Sequence, residues 1–201
     1  LQLSPERDRL KMSTLAFPGK VHADGASGRL FIADSNHHRI LVATLDGRVR
    51  DVIGPRTTDD AGAFGWTDGP FEEARFYRPQ GIALDGDVLY IADTENHLIR
   101  AASLSMRLVA SVAGNGHQGV WGEHGGAAHE TPISSPWDLV VANRLLFVAM
   151  AGLHQIWMVD LERQLSFPYA GSGREARVDG SVEESAFAQP SGLALHDSTL
   201  F

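Results

Sequence analysis

The 201-residue chain contains no cysteine. Disulfides, thiolate metal sites and cysteine nucleophiles are therefore excluded, although this identifies no redox compartment. Long apolar runs are also missing: the longest extend only a few residues, far short of the roughly 20 that a membrane-spanning helix requires. Basic charge is in deficit, with 17 Lys and Arg against 25 Asp and Glu and a formal net charge of −8. That balance disfavours broad binding to nucleic acid or to an anionic membrane. No secretory leader is visible and residue 1 is Leu, so the compartment stays open, with the cytoplasm favoured. The zincin helix motif, the Gly-x-Ser-x-Gly elbow and the phosphate loop are all absent, and Gly114-x-Gly116 alone is no nucleotide signal. No catalytic residue and no cofactor is expected.

What the chain does have is repetition. Residues 88–99 read VLYIADTENHLI, residues 30–40 read LFIADSNHHRI, and residues 146–156 read LFVAMAGLHQI. Self-similarity at a fixed period signals a repeat architecture. Pro18, Pro79, Pro136 and Pro190 open successive units at intervals of 61, 57 and 54 residues. The units are therefore taken as 17–78, 79–135, 136–189 and a truncated 190–201, with residues 1–16 read as a linker or the end of a preceding domain.

Each unit holds four short apolar runs, which in the second unit cover residues 81–84, 88–92, 97–103 and 108–113. Asp85-Gly86-Asp87 is a tight-turn signal, because Gly accepts positive φ and Asp bonds to local amides. The runs are too short for ordinary helices and rich in Val, Ile, Leu and aromatics, so they are predicted to be antiparallel strands. A four-stranded sheet that is apolar on both faces must be sandwiched between copies of itself, and radial stacking of such sheets is a β-propeller. The fold class expected is all-β: about three and a third blades, an arc of a longer propeller.

The connections between units carry the candidate binding residues. Residues 67–79 (TDGPFEEARFYRP) and 178–190 (VDGSVEESAFAQP) match without gaps, pairing Asp68 with Asp179 and Phe76 with Phe187. An Asp-Gly turn, one acidic helical turn and a Phe plugging the gap between blades account for that pattern. The middle connection, residues 115–135, reads differently and is rich in Gly and His. Nonrepeating rim loops of this kind often carry function. Asp68, His117, Trp121, His124, His129, Trp137 and Asp179 are accordingly the candidate binding residues, with Trp favoured as an interface anchor.

The Pro-x-Gly-[Ile/Leu]-Ala strands at 79–83 and 190–194, the Leu-[Tyr/Phe]-Ile-Ala-Asp strand and the Asn-His-x-Ile turn at 96–99 together resemble NHL repeats. The resemblance covers about residues 17–201 and points to the branch of that family that joins a thioredoxin-like domain to an NHL propeller. It implies six blades, with the remaining blades and the thioredoxin-like domain outside this chain, and any redox motif upstream. The third unit departs from the pattern, with Met150-Ala151-Gly152 in place of Asp93-Thr94-Glu95.

Asp34, His37, Asp93, Asn96, His97 and His154 are read as turn-building residues, with His37 placed opposite His97 and His154. Three equivalent His suggest zinc, but copies of one turn on adjacent blades lie on the order of 10 Å apart, too far for ligands that must approach a common ion within about 2.1 Å. No metal site is assigned. The function expected is a noncatalytic scaffold that binds a protein or small-molecule partner. The alternatives are a metal-dependent lyase or lactonase-like propeller, for which the inner strands offer only His22, Asp24, Asp85 and His196, and RNA binding through Arg39, Arg48, Arg50 and Arg56.

Overall fold

The computed structural model describes residues 15–56 and 63–201. Of the expected linker, all but Leu15 and Ala16 lies outside the described residues. The first sheet is formed by β1 (Val21–Asp24), β2 (Arg29–Asp34), β3 (Arg39–Thr44) and β4 (Val49–Ile53), paired antiparallel in chain order. After β5 (Gly69–Pro70) the second sheet follows with β6 (Pro79–Asp85), β7 (Val88–Asp93), β8 (Leu98–Ser103) and β9 (Leu108–Ala113). After β10 (Gly126–Ala127) the third contains β11 (Pro136–Ala142), β12 (Leu145–Met150), β13 (Gln155–Asp160) and β14 (Leu165–Ala170). A short hairpin of β15 (Leu195–His196) and β16 (Thr199–Leu200) begins a fourth. The predicted blades are therefore present.

Residues on successive positions of a strand point to opposite faces, and here both faces are buried. In β7, Leu89 and Ile91 pack towards the first blade with Phe31, Ile40 and Ile53. Tyr90 and Ala92 face the other way, towards Leu139, Val148 and Trp157 of the third blade. Each fully buried large apolar side chain contributes roughly 1.5–3 kcal/mol, so the stacking of blades is the main source of stability.

The connections do more than link blades. β5 pairs with β9 and β10 pairs with β14, so each connection first adds a short fifth strand to the outer edge of the coming blade and only then starts its innermost strand. The expected Phe plug is there: Phe76 is fully buried between the first two blades. The closing glycines make one shared contact. The amides of Gly54, Gly114 and Gly171 donate to the carbonyls of Phe71, Ala128 and Val182 at 2.8, 2.8 and 2.7 Å.

That contact corrects the reading of residues 115–135 as wholly nonrepeating. The Thr131 amide donates to the Ala127 carbonyl at 3.0 Å, as the Ala74 amide does to Pro70 at 2.8 Å and the Ser185 amide to Ser181 at 2.9 Å. Ile133 is fully buried in the place of Phe76. The second half of this connection is repeat scaffold with altered side chains, and the first half is the distinct part.

Candidate functional site

Innermost strands converge at the propeller axis, where Gly81 meets Asp138 so closely that a Cβ at Gly81 would sit 2.6 Å from the Asp138 Cα. No side chain larger than hydrogen fits there. At that strand position, two residues after the opening Pro, units 2 and 4 have Gly81 and Gly192 while units 1 and 3 have Lys20 and Asp138. The Lys20 Nζ donates to Asp138 Oδ1 at 2.7 Å, reaching past the bare Gly81 from the first blade to the third. Asp138 is buried and also accepts the Leu193 amide at 2.9 Å, so one carboxylate ties together three units. Around this pair lies a cavity of about 380 Å³ lined by Lys20, Gln80, Trp137, Asp138 and Ser191.

The same end of the strands carries the β2–β3, β7–β8 and β12–β13 turns. Each is a 3-10 turn closed by a His in the left-handed conformation: His38, His97 and His154, at φ of 55°, 54° and 55°. Their Nδ1 atoms accept the amides of Arg78, Ser135 and Gln189, just before the next opening Pro, at 3.2, 3.1 and 3.2 Å. His38, not His37, is thus the counterpart of His97 and His154. His37 lies one residue earlier, inside the turn, and bonds through Nδ1 to Asp34 at 2.8 Å, the task that Asn96 performs on Asp93 at 2.9 Å. Burial lowers the pKa of His38 and His97, consistent with neutral rings that accept a hydrogen bond at Nδ1.

Asp34 and Asp93 are fully buried and accept amides from the preceding connection, Ala16 at 2.8 Å and Tyr77 at 2.7 Å. Burial pushes Asp93 up to about 6 against the pull of Arg100. The Arg100 guanidinium, itself fully buried, donates to Asp93 at 2.9 Å, to the carbonyls of Arg75 and Thr67 at 3.0 and 2.7 Å, and to Asp68 at 2.5 Å. It lies over the Phe76 ring at 5.1 Å. Asp68, a candidate binding residue, is therefore held from inside by Arg100 and also accepts the Ser111 amide at 3.0 Å. Its counterpart Asp179 is exposed and lines a separate cavity.

Trp137 is 39% exposed at the axial cavity, whereas Trp121 is 74% exposed in the connection, its indole against Gly173. Trp66 makes the matching contact over Gly116. His117, His124 and His129 are exposed, and His129 falls in the repeating half of its connection, at the place of Glu72. Among the described residues, no three His, Asp or Glu side chains gather where they could hold a metal, so neither that loop nor the set His22, Asp24, Asp85 and His196 forms a cluster. Lys20, Gln80, Asp138 and Ser191 were not among the sequence candidates. The signal that finds Lys20 and Asp138 is opposite charge at a position where the repeat calls for glycine.

Blades of this construction, each opened by Pro, closed by Gly and turned on a left-handed His, define a β-propeller built of NHL repeats. The NHL repeat family model matches residues 76–101, which span the second blade's inner strands and turn. The chain is 44% identical to NHL repeat-containing protein 2 of Gallus gallus over 94% of its own length, and it spans 28% of the length of that relative. A protein of unknown function from Bacteroides thetaiotaomicron superposes with a TM-score of 0.58 at 21% identity, covering 77% of this chain and 36% of its own. A streptogramin B lyase structure superposes with a TM-score of 0.54 at 14% identity, covering 90% of this chain and 46% of its own. Those two likenesses concern the fold alone. Among the described residues no helix is long and apolar enough to cross a membrane.

Proposed function

We propose that this chain is a noncatalytic interaction module whose partner, a protein or a small molecule, docks on the face that carries the turns and connections. The observation that supports this reading is the exposure of Phe64, Trp66 and Trp121 on the connections, together with Trp137 at a polar axial cavity that holds Lys20 and Asp138. Aromatic anchors beside satisfied polar groups are the composition of binding hot spots. Three of the rings are half-fixed in advance: Phe64 stacks on Tyr77 at 4.8 Å, and Trp66 and Trp121 rest on glycines. Little side-chain entropy is lost when such rings are covered.

The test is affinity capture with the full chain, comparing wild type with Trp121→Ser/Trp137→Ser and with Met106→Ser, which alters an exposed turn between β8 and β9. The double variant is expected to lose a partner that Met106→Ser retains. Equal retention by all three would remove the assignment of this face.

A further inference from the structure

The Arg100 pocket recurs in the third connection without an arginine in it. Arg100 is held by two carbonyls, Thr67 and Arg75, by the Asp68 carboxylate and by the Phe76 ring. The gapless match of residues 67–79 with 178–190 places Val178, Ala186, Asp179 and Phe187 at those four positions. The backbone agrees, since Thr67 bridges Arg75 and Val178 bridges Ala186 in the same antiparallel manner. All four residues line a cavity of about 820 Å³. Phe71 is 1% exposed beside the filled pocket, whereas its counterpart Val182 is 53% exposed beside the empty one.

The chain also shows which blade needs such a pocket. The connection that contains Asp68 serves a blade with Arg100 on its third strand. The connection into the third blade has Gly125 in the place of Asp68 and Ile133 in the place of Phe76, and that blade has Trp157 in the place of Arg100. Asp goes with Arg and Gly goes with Trp.

We infer that Val178, Asp179, Ala186 and Phe187 form an arginine socket for the third strand of a further NHL unit of the Asp/Arg type, carrying Asp and Arg seven residues apart as Asp93 and Arg100 are. The guanidinium enters from the strand, donates to the two carbonyls and to the Asp179 carboxylate, and lies over Phe187. Charge-assisted bonds in this planar fork suit arginine and not lysine. The inference does not rest on partner binding at the axial cavity.

The probe is a peptide with the sequence of residues 93–113, titrated into the isotope-labelled 201-residue chain and followed by amide shifts. Shifts at Val178, Asp179, Ala186 and Phe187 are expected, with binding at least tenfold weaker for the peptide carrying Arg100→Met and for Asp179→Ala, whose exposed side chain can be removed without harm to the fold. Equal affinity of both peptides, indifference to Asp179→Ala, or no shift up to millimolar peptide would overturn the inference. So would self-association of the chain through this cavity that is insensitive to Asp179→Ala, because the occupant would then be a second copy.

Discussion

The second and third units build the same turn from opposite materials. In the second, Asp93, Thr94, Asn96 and Arg100 form a buried polar network, in which the Thr94 hydroxyl donates to the Pro136 carbonyl of the next unit at 2.7 Å. In the third, Met150, Ala151, Leu153 and Trp157 occupy the same places, all buried. The backbone is unchanged: both are 3-10 turns ending in a left-handed His. The turn is therefore specified by its backbone and its His, and the network is one of two ways to fill the space beneath. Buried ion pairs exchanged as a set for apolar residues of similar volume are often neutral in stability, whereas removal of one partner strands a charge.

The largest effect should come from breaking one side of that comparison. Asp93→Ala removes the fully buried one of the two carboxylates that hold Arg100, strands the Tyr77 amide and is expected to destabilise the fold by about 3–5 kcal/mol in denaturant unfolding. Copying the third unit in full, with Asp93→Met, Asn96→Leu, Arg100→Trp and Asp68→Gly, should recover most of that loss. If the combined variant is as unstable as the single one, the two fillings are not interchangeable. On the other side, Trp157→Ala removes the largest fully buried side chain and should cost about 3–5 kcal/mol through the cavity left behind.

A smaller effect is expected at the axis. Asp138→Ala strands the Leu193 amide and is expected to cost about 1–3 kcal/mol, whereas Lys20→Met, at a partly exposed group, should cost less than about 1 kcal/mol. Equal losses in thermal unfolding would show that the ion pair, and not the amide contact, matters there.

A separate signal is in pH dependence. The folded Asp93 carboxyl, near 6, keeps a proton that the unfolded carboxyl, at 3.8, has released. Its contribution to stability therefore falls as pH rises from about 4 to about 6. His38 and His97 act in the opposite sense, their contribution being present above 6.5 and lost as pH falls below it. The discriminating measurement is the difference between wild type and Asp93→Asn across that window. A constant difference would mean that Asp93 does not titrate there.

Much of this was legible in the chain. Short apolar runs, Asp-Gly turns, Pro openings and Gly closings are local signals, and together they point to the four-stranded antiparallel sheets that are observed. The errors fell where two local readings compete. His37 and His38 both fit an Asx-His turn, and only the left-handed geometry selects His38. The 115–135 connection hides its repeating half because Ala128, Thr131 and Ile133 keep the backbone of Phe71, Ala74 and Phe76 without their side chains. Asp68 read as a rim residue, since Arg100, which grips it, lies 32 residues away.

The sequence by itself determined that this is a stack of four-stranded blades, because apolar runs and turn chemistry act within a few residues, and its recurring motifs carried the resemblance to NHL repeats. Only the tertiary structure decided which polar residues are spent on the fold and which face outward. That depends on contacts such as Lys20 with Asp138, 118 positions apart, which exist because blades converge at an axis that no local pattern records.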